Sequence, residues 1–139
     1  MSSEICLTQA PKRLPSAARS FDDTNMLDRL NRTDARAFDE LEFGAIALRR
    51  DGLLEHYNAL EARWSGLLPT SVIGRNFFSE VAPCTNNAII GGRLLNENTL
   101  DIELDYVFTY RLIPTKVRLR LLKGPSSPLM YLLVRMRGA

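Results

Sequence analysis

Tyr57, Glu61 and Ser65 form a polar set whose types and spacing could support chemistry. They lie at i, i+4 and i+8 in the segment YNALEARWS, so a helix through this segment places a phenol, a carboxyl and a hydroxyl along nearly one face. On an exposed helix these are ordinary polar positions. If the face points inward, burial raises the pKa of the carboxyl and keeps Glu61 protonated, and the acid and the phenol can then donate hydrogen bonds to one anion.

A single cysteine, Cys84, follows Pro83 in the stretch NFFSEVAPCTNN, between a hydrophobic run and two asparagines. A thiol beside a polar loop can form a covalent bond to a ligand, and its thiolate is the reactive form. A lone cysteine is otherwise packing material. The chain has two cysteines, Cys6 and Cys84, and one histidine, His56, so the sequence offers neither a disulfide framework nor an obvious zinc site.

Strand and helix signals indicate which elements position these groups. The segment FGAIALRRDGLLEHYNAL predicts a hairpin that turns at Asp51-Gly52, followed by a helix with Asn58 as its cap and Gly66 as its terminator. TSVIGRNFFSEV predicts another short helix, with Gly74 interrupting its start. Alternating apolar residues predict three strands in TLDIELDYVFTYRL, TKVRLRLLK and PLMYLLVRMR. We therefore predict an α+β domain with a central antiparallel β-sheet flanked by helices.

The N-terminal part of the chain divides into two predicted regions. Residues 1–20 mix serine, proline, alanine and basic residues without a hydrophobic period, which predicts a flexible tail. Apolar residues then recur at helical spacing, with Asp22 and Asp23 suited to cap a helix. These patterns predict an N-terminal helical cap over 21–37 and the sheet-containing domain over 38–139.

The composition is that of one globular domain, with 139 residues, 45% hydrophobic and 24% charged. A net charge of +2 is too small to indicate nucleic-acid binding. No apolar run approaches the roughly 20 residues that cross a bilayer, and the first residues lack the pattern of a secretory signal. We expect a cytoplasmic monomer or weak dimer, with no membrane and no nucleic acid among its partners.

The strand segment KVRLRLLK places Lys116, Arg118 and Arg120 on one face and apolar residues on the other. Such a basic stripe could serve as a docking surface. We expect instead a face that is solvated or covered by the N-terminal helices.

Three segments carry a resemblance to a known family, namely DELEFGAIALRRDGLLEHYNALEARWSG, VIGRNFFSEVAPCTNN and YVFTYRLIPTKVRL. Together they resemble the photoactive yellow protein family, a bacterial, blue-light-sensing branch of the PAS fold. The resemblance runs from about Phe38 to Arg137, and VIGRNFFSEVAPCT is nearly the family's signature around its chromophore cysteine. It implies a PAS-like domain that acts as a light-driven switch and is not an enzyme.

The resemblance also implies a site. Cys84 would carry p-coumaric acid (4-hydroxycinnamic acid) as a covalent thioester, and Tyr57 and Glu61 would hydrogen-bond its buried phenolate, with Ser65 behind Tyr57. The residues that match pocket-lining positions of the family are Phe77, Val81, Ala82, Thr85, Phe108, Tyr110, Leu67 and Leu112. The implied mechanism is photoisomerisation, proton transfer from Glu61 and partial unfolding, which an unidentified downstream signalling protein reads.

Three departures from the family pattern bear on this implied pocket. Leu67 stands where the best-known members carry an arginine that covers the phenolate end, and leucine cannot make that polar lid. Leu112 stands where methionine is common, so its stiffer side chain is expected to alter the rate of dark recovery. The connector AIIGGRLLNENTLDIELDY is shorter by a few residues than its counterpart, with Gly91 in place of an aromatic residue.

Two other classes of function stay open at this point. One is a PAS-like interaction or small-ligand-binding module without a chromophore, in which Cys84 is a packing residue; Leu67 and the short connector favour it. The other is a cysteine-dependent acyl transferase or hydrolase, which needs a base near Cys84 and oxyanion donors. The only histidine, His56, lies on a different segment. The combination of cysteine, tyrosine, glutamate and hydroxyl favours the photoreceptor.

Overall fold

The computed structural model describes residues 21–137 of the chain. The predicted tail over 1–20, with Cys6, lies outside the described residues. The helices are α1 (Met26–Asn31), α2 (Ala35–Asp39), α3 (Ala59–Ser65), α4 (Pro69–Val72) and α5 (Gly91–Asn96). The strands are β1 (Gly44–Arg49), β2 (Leu54–Tyr57), β3 (Leu100–Tyr110), β4 (Ile113–Lys123) and β5 (Leu129–Met136). None of the helices within 21–137 is long and apolar enough to cross a membrane.

The five strands form one antiparallel sheet in the order β2-β1-β5-β4-β3. The predicted hairpin joins β1 to β2, with Gly52 in the left-handed region at φ 93°. Strands β3 and β4 form a long hairpin in continuous register from the pair Leu100–Lys123 to the pair Tyr110–Ile113. The predicted fold class, an α+β domain with a central antiparallel sheet flanked by helices, is confirmed.

The alternation of side chains along β1 separates two hydrophobic cores on the two faces of the sheet. Ile46 and Leu48 face the pocket-side core, which contains Phe77, Phe108 and most of the large buried residues. Ala45 and Ala47 face the cap-side core, whose other members are Phe21, Met26, Leu30, Phe38, Leu41, Phe43, Leu122, Tyr131 and Leu133. The N-terminal segment therefore covers one face of the sheet, and the helices between β2 and β3 lie on the other.

The N-terminal cap contains two short helices, and α2 continues to Asp39, beyond the boundary at residue 37 that the sequence suggested. The prediction that Asp22 and Asp23 cap the first helix was wrong, because α1 begins at Met26 and its N-cap is Asn25. Asp23 instead accepts a hydrogen bond from the Asn25 amide at 3.0 Å and pairs with Arg29 at 3.1 Å.

Arg120 explains how the cap attaches to the basic stripe of β4. Its side chain is buried and donates to the main-chain oxygens of Phe21 and Asp23 at 2.9 and 2.7 Å. It also pairs with Asp101 on β3 at 2.9 Å. Arg118, by contrast, makes partly exposed ion pairs with acidic residues of β3. The expected covering of this face by the N-terminal segment is therefore found at Arg120.

The segment predicted as one helix around Gly74 contains two elements. Helix α4 ends at Val72, Gly74 takes a φ of 89°, and a π-helical turn follows over Phe77–Val81. The side chain of Asn76 caps this turn by accepting from the amides of Phe78 and Ser79. A single 3₁₀ turn, Pro83–Thr85, then carries the cysteine.

The connector between this 3₁₀ turn and β3 contains α5, which begins at the buried Gly91. A Cβ atom built at Gly91 would lie 3.0 Å from the carbonyl oxygen of Thr85 and 3.2 Å from the ring of Phe78. Thr85 and Phe78 therefore occupy the space that an aromatic side chain at position 91 would need. Glycine at this position permits the close approach of α5 to both residues.

Candidate functional site

Helix α3 is fixed in place by its N-cap, Asn58, which is fully buried. Its Oδ1 accepts hydrogen bonds from the amides of Glu61 at 3.1 Å and Ala45 at 3.0 Å. Its Nδ2 donates to the carbonyl oxygens of Phe43 at 2.9 Å and Phe38 at 3.3 Å. The amide group thereby uses both of its donor hydrogens and two acceptor positions. These bonds tie α3 to β1 and to the end of the cap.

The predicted polar set points into the pocket-side core. Tyr57, the last residue of β2, donates to Ser65 Oγ at 2.9 Å. Glu61 is 1% exposed, and its Oε2 accepts from the hydroxyl of Tyr110 at 2.5 Å. Its Oε1 is buried and has no hydrogen-bond partner within residues 21–137. An unpaired buried polar atom is costly, so the fold gives up stability at this carboxyl.

Gly44, at the start of β1, makes room for this carboxyl. A Cβ atom built at Gly44 would overlap Glu61 Oε1 and lie 2.9 Å from Trp64 Cζ3. Any larger residue at position 44 would therefore displace the carboxyl or the indole ring. The absence of a side chain at Gly44 thus allows the carboxyl of Glu61 to occupy this place.

Burial raises the pKa of three acidic groups that lie together in the pocket-side core, Glu61, Tyr57 and Tyr110. The desolvation of Glu61 raises the pKa of its carboxyl from 4.5 to about 7, although the hydrogen bond from Tyr110 acts in the opposite direction. Burial also raises the pKa values of Tyr57 and Tyr110, and the nearby negative charge of Glu61 raises them further. Both phenols are therefore protonated at neutral pH, and Glu61 changes its charge close to neutrality.

A cavity of about 440 Å³ lies beside these groups, a size that suits a small organic ligand. Most of the predicted site residues line it, namely Tyr57, Glu61, Ser65, Leu67, Phe77, Val81, Ala82, Cys84, Phe108, Tyr110 and Leu112. Cys84 is exposed and carries a free thiol. The cavity therefore connects a thiol open to solvent with a buried carboxyl that lacks a partner for one oxygen.

Comparison with known proteins identifies the family. The photoactive yellow protein of Rhodothalassium salexigens is 37% identical over 100 residues, which cover 70% of this chain and 80% of the relative. The photoactive yellow protein of Rhodobacter capsulatus is 37% identical over 116 residues, which cover 81% of this chain and 93% of the relative. The chain belongs to the photoactive yellow protein family. A scan against models of protein families gave no match.

Solved structures agree with the photoactive yellow protein family and its PAS fold. The photoactive yellow protein domain of the sensor histidine kinase Ppr from Rhodospirillum centenum superposes with a TM-score of 0.71 at 37% identity, over 78% of this chain and 98% of that domain. The PAS domain of an HTR-like protein from Haloarcula marismortui gives a TM-score of 0.59 over 81% of this chain and 98% of that domain; its 15% identity shows the fold alone. The predicted PAS-like fold is confirmed.

Two of the residues predicted to line the pocket, Thr85 and Leu112, differ from the rest of that set. Thr85 lies outside the cavity lining: it is fully buried, and its hydroxyl donates to the Ala82 carbonyl at 2.7 Å, which secures the 3₁₀ turn. Leu112 lines the mouth but is 91% exposed. Its large exposed fraction follows from its place at the tip of the β3–β4 hairpin.

Several residues around the cavity were missed in the sequence. Ile46, Thr109 and Arg111 also line it, together with Pro83, whose place before Cys84 the sequence had indicated. Tyr106 donates to the carbonyl oxygen of Cys84 at 2.6 Å, and Asn87 Nδ2 donates to the same oxygen at 3.1 Å. The two-residue alternation of β3 puts Tyr106 on the face of Phe108 and Tyr110 and could have indicated it.

The structure places His56 and Trp64 beside the site and not in the cavity lining. The ring of His56 packs at 5.7 Å from that of Phe38 on the cap side. Trp64 packs at 6.4 Å from the ring of Tyr110. No histidine therefore lies among the lining residues as a base for Cys84. Within residues 21–137, no group of three or more histidine, cysteine, aspartate or glutamate side chains could hold a metal ion.

Proposed function

We propose that the protein is a blue-light photoreceptor, in which Cys84 carries p-coumaric acid as a thioester. The observation that carries this proposal is that Cys84, whose side chain is exposed, and the buried Glu61 line one and the same cavity. Membership of the photoactive yellow protein family supports a light-sensing function. The proposed role is signalling and not enzymatic turnover.

The residues at the two ends of the cavity fit the proposed ligand. Cys84 would hold the acyl end near the mouth, where its thiol is accessible. Tyr57 and Glu61 would hydrogen-bond the phenolic end, where the Glu61 carboxyl has hydrogen-bonding capacity that the chain within 21–137 leaves unused. Aromatic residues, Phe77 and Phe108, supply apolar walls between the two ends. When bound, the group supplies blue-light absorption and a double bond that light isomerises.

Glu61 supplies the protein's part in the response, the release of one proton from its carboxyl. With a pKa of about 7, this group holds its proton far more readily than an exposed glutamate. Once the proton leaves, a carboxylate remains in a place that is 1% exposed. A buried charge without a cationic partner is costly, so its appearance favours a looser structure.

Asn58 offers a direct path from Glu61 to the cap. It binds the Glu61 amide at the start of α3 and the carbonyls of Phe38 and Phe43 at the end of the cap. A shift of α3 that carries a charged Glu61 toward solvent would strain these bonds. We expect α1 and α2 to leave the sheet in the light, which exposes the cap-side core to a partner.

The proposed partner is a downstream signalling protein. The related domain from Rhodospirillum centenum belongs to a sensor histidine kinase, which supports an output through another protein or a further domain. Within residues 21–137 we assign no element to nucleic-acid or membrane binding. The expected location is the cytoplasm.

The test is the visible absorption spectrum of the purified protein after incubation with an activated derivative of p-coumaric acid. We expect a yellow band in the blue region that bleaches in blue light and returns in the dark. A Cys84→Ala control should show no covalent band. If no band forms in folded protein, the alternative applies, a PAS module that binds a small ligand without a chromophore.

A further inference from the structure

The turn that joins β3 to β4 has an unusual backbone for the two residues that form it. Arg111 has a φ of 52° and Leu112 a φ of 67°, and neither is a glycine. Two consecutive left-handed residues are typical of a type I′ hairpin turn, which normally selects asparagine or glycine. Larger side chains carry a steric cost there. An arginine in this turn therefore calls for a compensating contact.

Arg111 makes that contact with the end of α3. Its Nη2 donates to the main-chain oxygen of Arg63 at 3.1 Å. Its guanidinium lies against Gly66, where a Cβ atom would be 2.9 Å from Arg111 Cζ. Gly66 has a φ of 78° and ends α3, so this one glycine both terminates the helix and leaves space for the cation.

Arg111 lines the cavity, and its guanidinium lies against Gly66 at the end of α3, on the side of the cavity where Tyr57 and Ser65 meet. Of the cavity-lining residues in the described part of the chain, Arg111 alone is a lysine or arginine. Gly66, which lies against this guanidinium, directly follows Ser65, and Ser65 accepts a hydrogen bond from the hydroxyl of Tyr57. The neighbouring Leu67 is apolar and 38% exposed, so position 67 contributes no charge here.

We propose that Arg111 is the cation that closes the phenolic end of the pocket and stabilises the phenolate form of a bound phenol. The inference rests on the proposed function for the class of ligand. A nearby positive charge lowers the pKa of a titrating phenol, and a guanidinium stays charged throughout the relevant pH range. A different segment of the chain thus supplies the polar cover that Leu67 cannot.

The experiment measures the pKa of a phenol bound in the pocket. The probe is the methyl ester of p-coumaric acid, bound without a covalent bond to Cys84→Ala protein, because the phenol is the only group of this ester that titrates. Its two forms differ in absorption, so a spectral titration gives the pKa without any light reaction. We expect Arg111→Gln to raise this pKa by about half a unit, roughly a threefold loss of preference for phenolate, as a partly solvated charge would give.

Two matched variants distinguish the effect of the positive charge of Arg111 from that of any nearby surface charge. Arg111→Lys should retain most of the low phenol pKa. Arg63→Gln removes an exposed charge from the same region but keeps the main-chain oxygen that Arg111 binds, so it should shift the pKa less. Equal shifts in Arg63→Gln and Arg111→Gln would overturn the proposal.

Arg111→Gly distinguishes a role toward the ligand from a structural one. Glycine suits the left-handed turn, so we expect this variant to unfold at a urea concentration no lower than the parent protein. The phenol pKa should nevertheless rise as it does in Arg111→Gln. An unchanged phenol pKa in Arg111→Gly would contradict the proposal.

The outcomes for Arg111 and for the photoreceptor can be told apart. If Cys84 accepts the chromophore without any light response, while Arg111→Gln raises the phenol pKa of the ester, the photoreceptor fails and the role of Arg111 stands. If the loaded protein responds to light and the Arg111 variants leave the phenol pKa unchanged, the role of Arg111 alone fails. An ester that does not bind the Cys84→Ala protein also overturns the role of Arg111.

Discussion

The two faces of the sheet differ in how completely their buried polar groups are paired. On the cap side, Arg120 donates to Phe21 and Asp23 and pairs with Asp101. Tyr131 donates to Asn31 Oδ1 at 2.7 Å on the same side. On the pocket side, by contrast, Glu61 keeps one buried oxygen without a partner beside a cavity. The cap side gains stability from these hydrogen-bonded and ion-paired groups, whereas the pocket side leaves one buried carboxyl oxygen unpaired.

The contrast indicates how one face can signal to the other. Strand β1 belongs to both cores, since Ile46 faces the pocket and Ala45 and Ala47 face the cap. Asn58 bonds to main-chain groups on both sides of this strand. Under the proposed function, a charge on Glu61 would act on the cap through these main-chain contacts.

Removing the link at Asn58 is expected to have the largest effect. Asn58→Ala deletes four hydrogen bonds in a fully buried place and leaves their main-chain partners unpaired. We expect a loss of about 4 kcal/mol in the free energy of unfolding, measured by urea titration. If the variant does not fold, Asn58→Ser, whose hydroxyl can still cap the start of α3, gives the measurable intermediate loss.

A suitable control for Asn58 is Asn76→Ala, because Asn76 also caps a turn with two hydrogen bonds but touches only the pocket side. We expect a loss of about 1 kcal/mol for this change. Equal losses in Asn58→Ala and Asn76→Ala would show that Asn58 is an ordinary cap and not a link between the faces.

The buried Glu61 carboxyl on the pocket side should also make the stability of the protein depend on pH. Glu61 has a folded-state pKa of about 7 against 4.5 when exposed, so between these values the folded state binds more protons than the unfolded state. Stability from this group is complete below about pH 4.5 and falls as the pH rises through 7. The ligand-free protein should lose about 3 kcal/mol of unfolding free energy over this window, as measured by urea titrations at several pH values.

Glu61→Gln should remove this dependence, since its amide does not titrate. Substituting Glu97, a partly exposed residue paired with Arg93, provides the matched control, and Glu97→Gln should leave the decline between pH 4.5 and 7 intact. A decline of the same size in Glu61→Gln would assign the titration to another group.

The sequence predicted the elements whose signals are local. The Asp51-Gly52 turn, the Asn58 cap and the Gly66 terminator depend on neighbouring residues, and all three are found in the structure. The π-helical turn before Cys84 was missed because it depends on a hydrogen bond from the Ala82 amide to the Phe77 carbonyl and on tertiary packing. Cys84 was singled out by its place after Pro83 beside a polar loop, and the family resemblance supplied its expected role.

The parts of the site that escaped prediction come from distant segments. Arg111 reaches the main chain of Arg63, 48 positions earlier, and its turn lacks the glycine or asparagine that usually marks a tight hairpin. Asn87 and Tyr106 meet at the carbonyl of Cys84 although 19 positions separate them. Such contacts are set by the register of β3 against the rest of the sheet, which a local pattern does not contain.

The smallest expected effect on stability comes from two tyrosines, one on each side, that each donate a single hydrogen bond. Tyr106→Phe removes the bond to the Cys84 carbonyl and the bond that its hydroxyl accepts from Asn87, and Tyr131→Phe removes the bond to Asn31. Tyr131 is buried and Tyr106 is half-buried. We therefore expect losses of about 1 kcal/mol for Tyr131→Phe and about 0.5 kcal/mol for Tyr106→Phe in urea titrations.

Tyr106→Phe should have the larger effect of the two variants when the alkylation rate of Cys84 is measured instead of stability. The hydroxyl of Tyr106 fixes the main chain that carries the thiol, so Tyr106→Phe should change the rate at which iodoacetamide alkylates Cys84 by about two- to threefold. Tyr131→Phe should leave that rate as it is in the parent protein, because its hydroxyl acts on the opposite face. Equal rates in both variants would mean that the hydrogen bond at Cys84 only stabilises the fold, and that positioning of the thiol depends on Asn87 and the 3₁₀ turn alone.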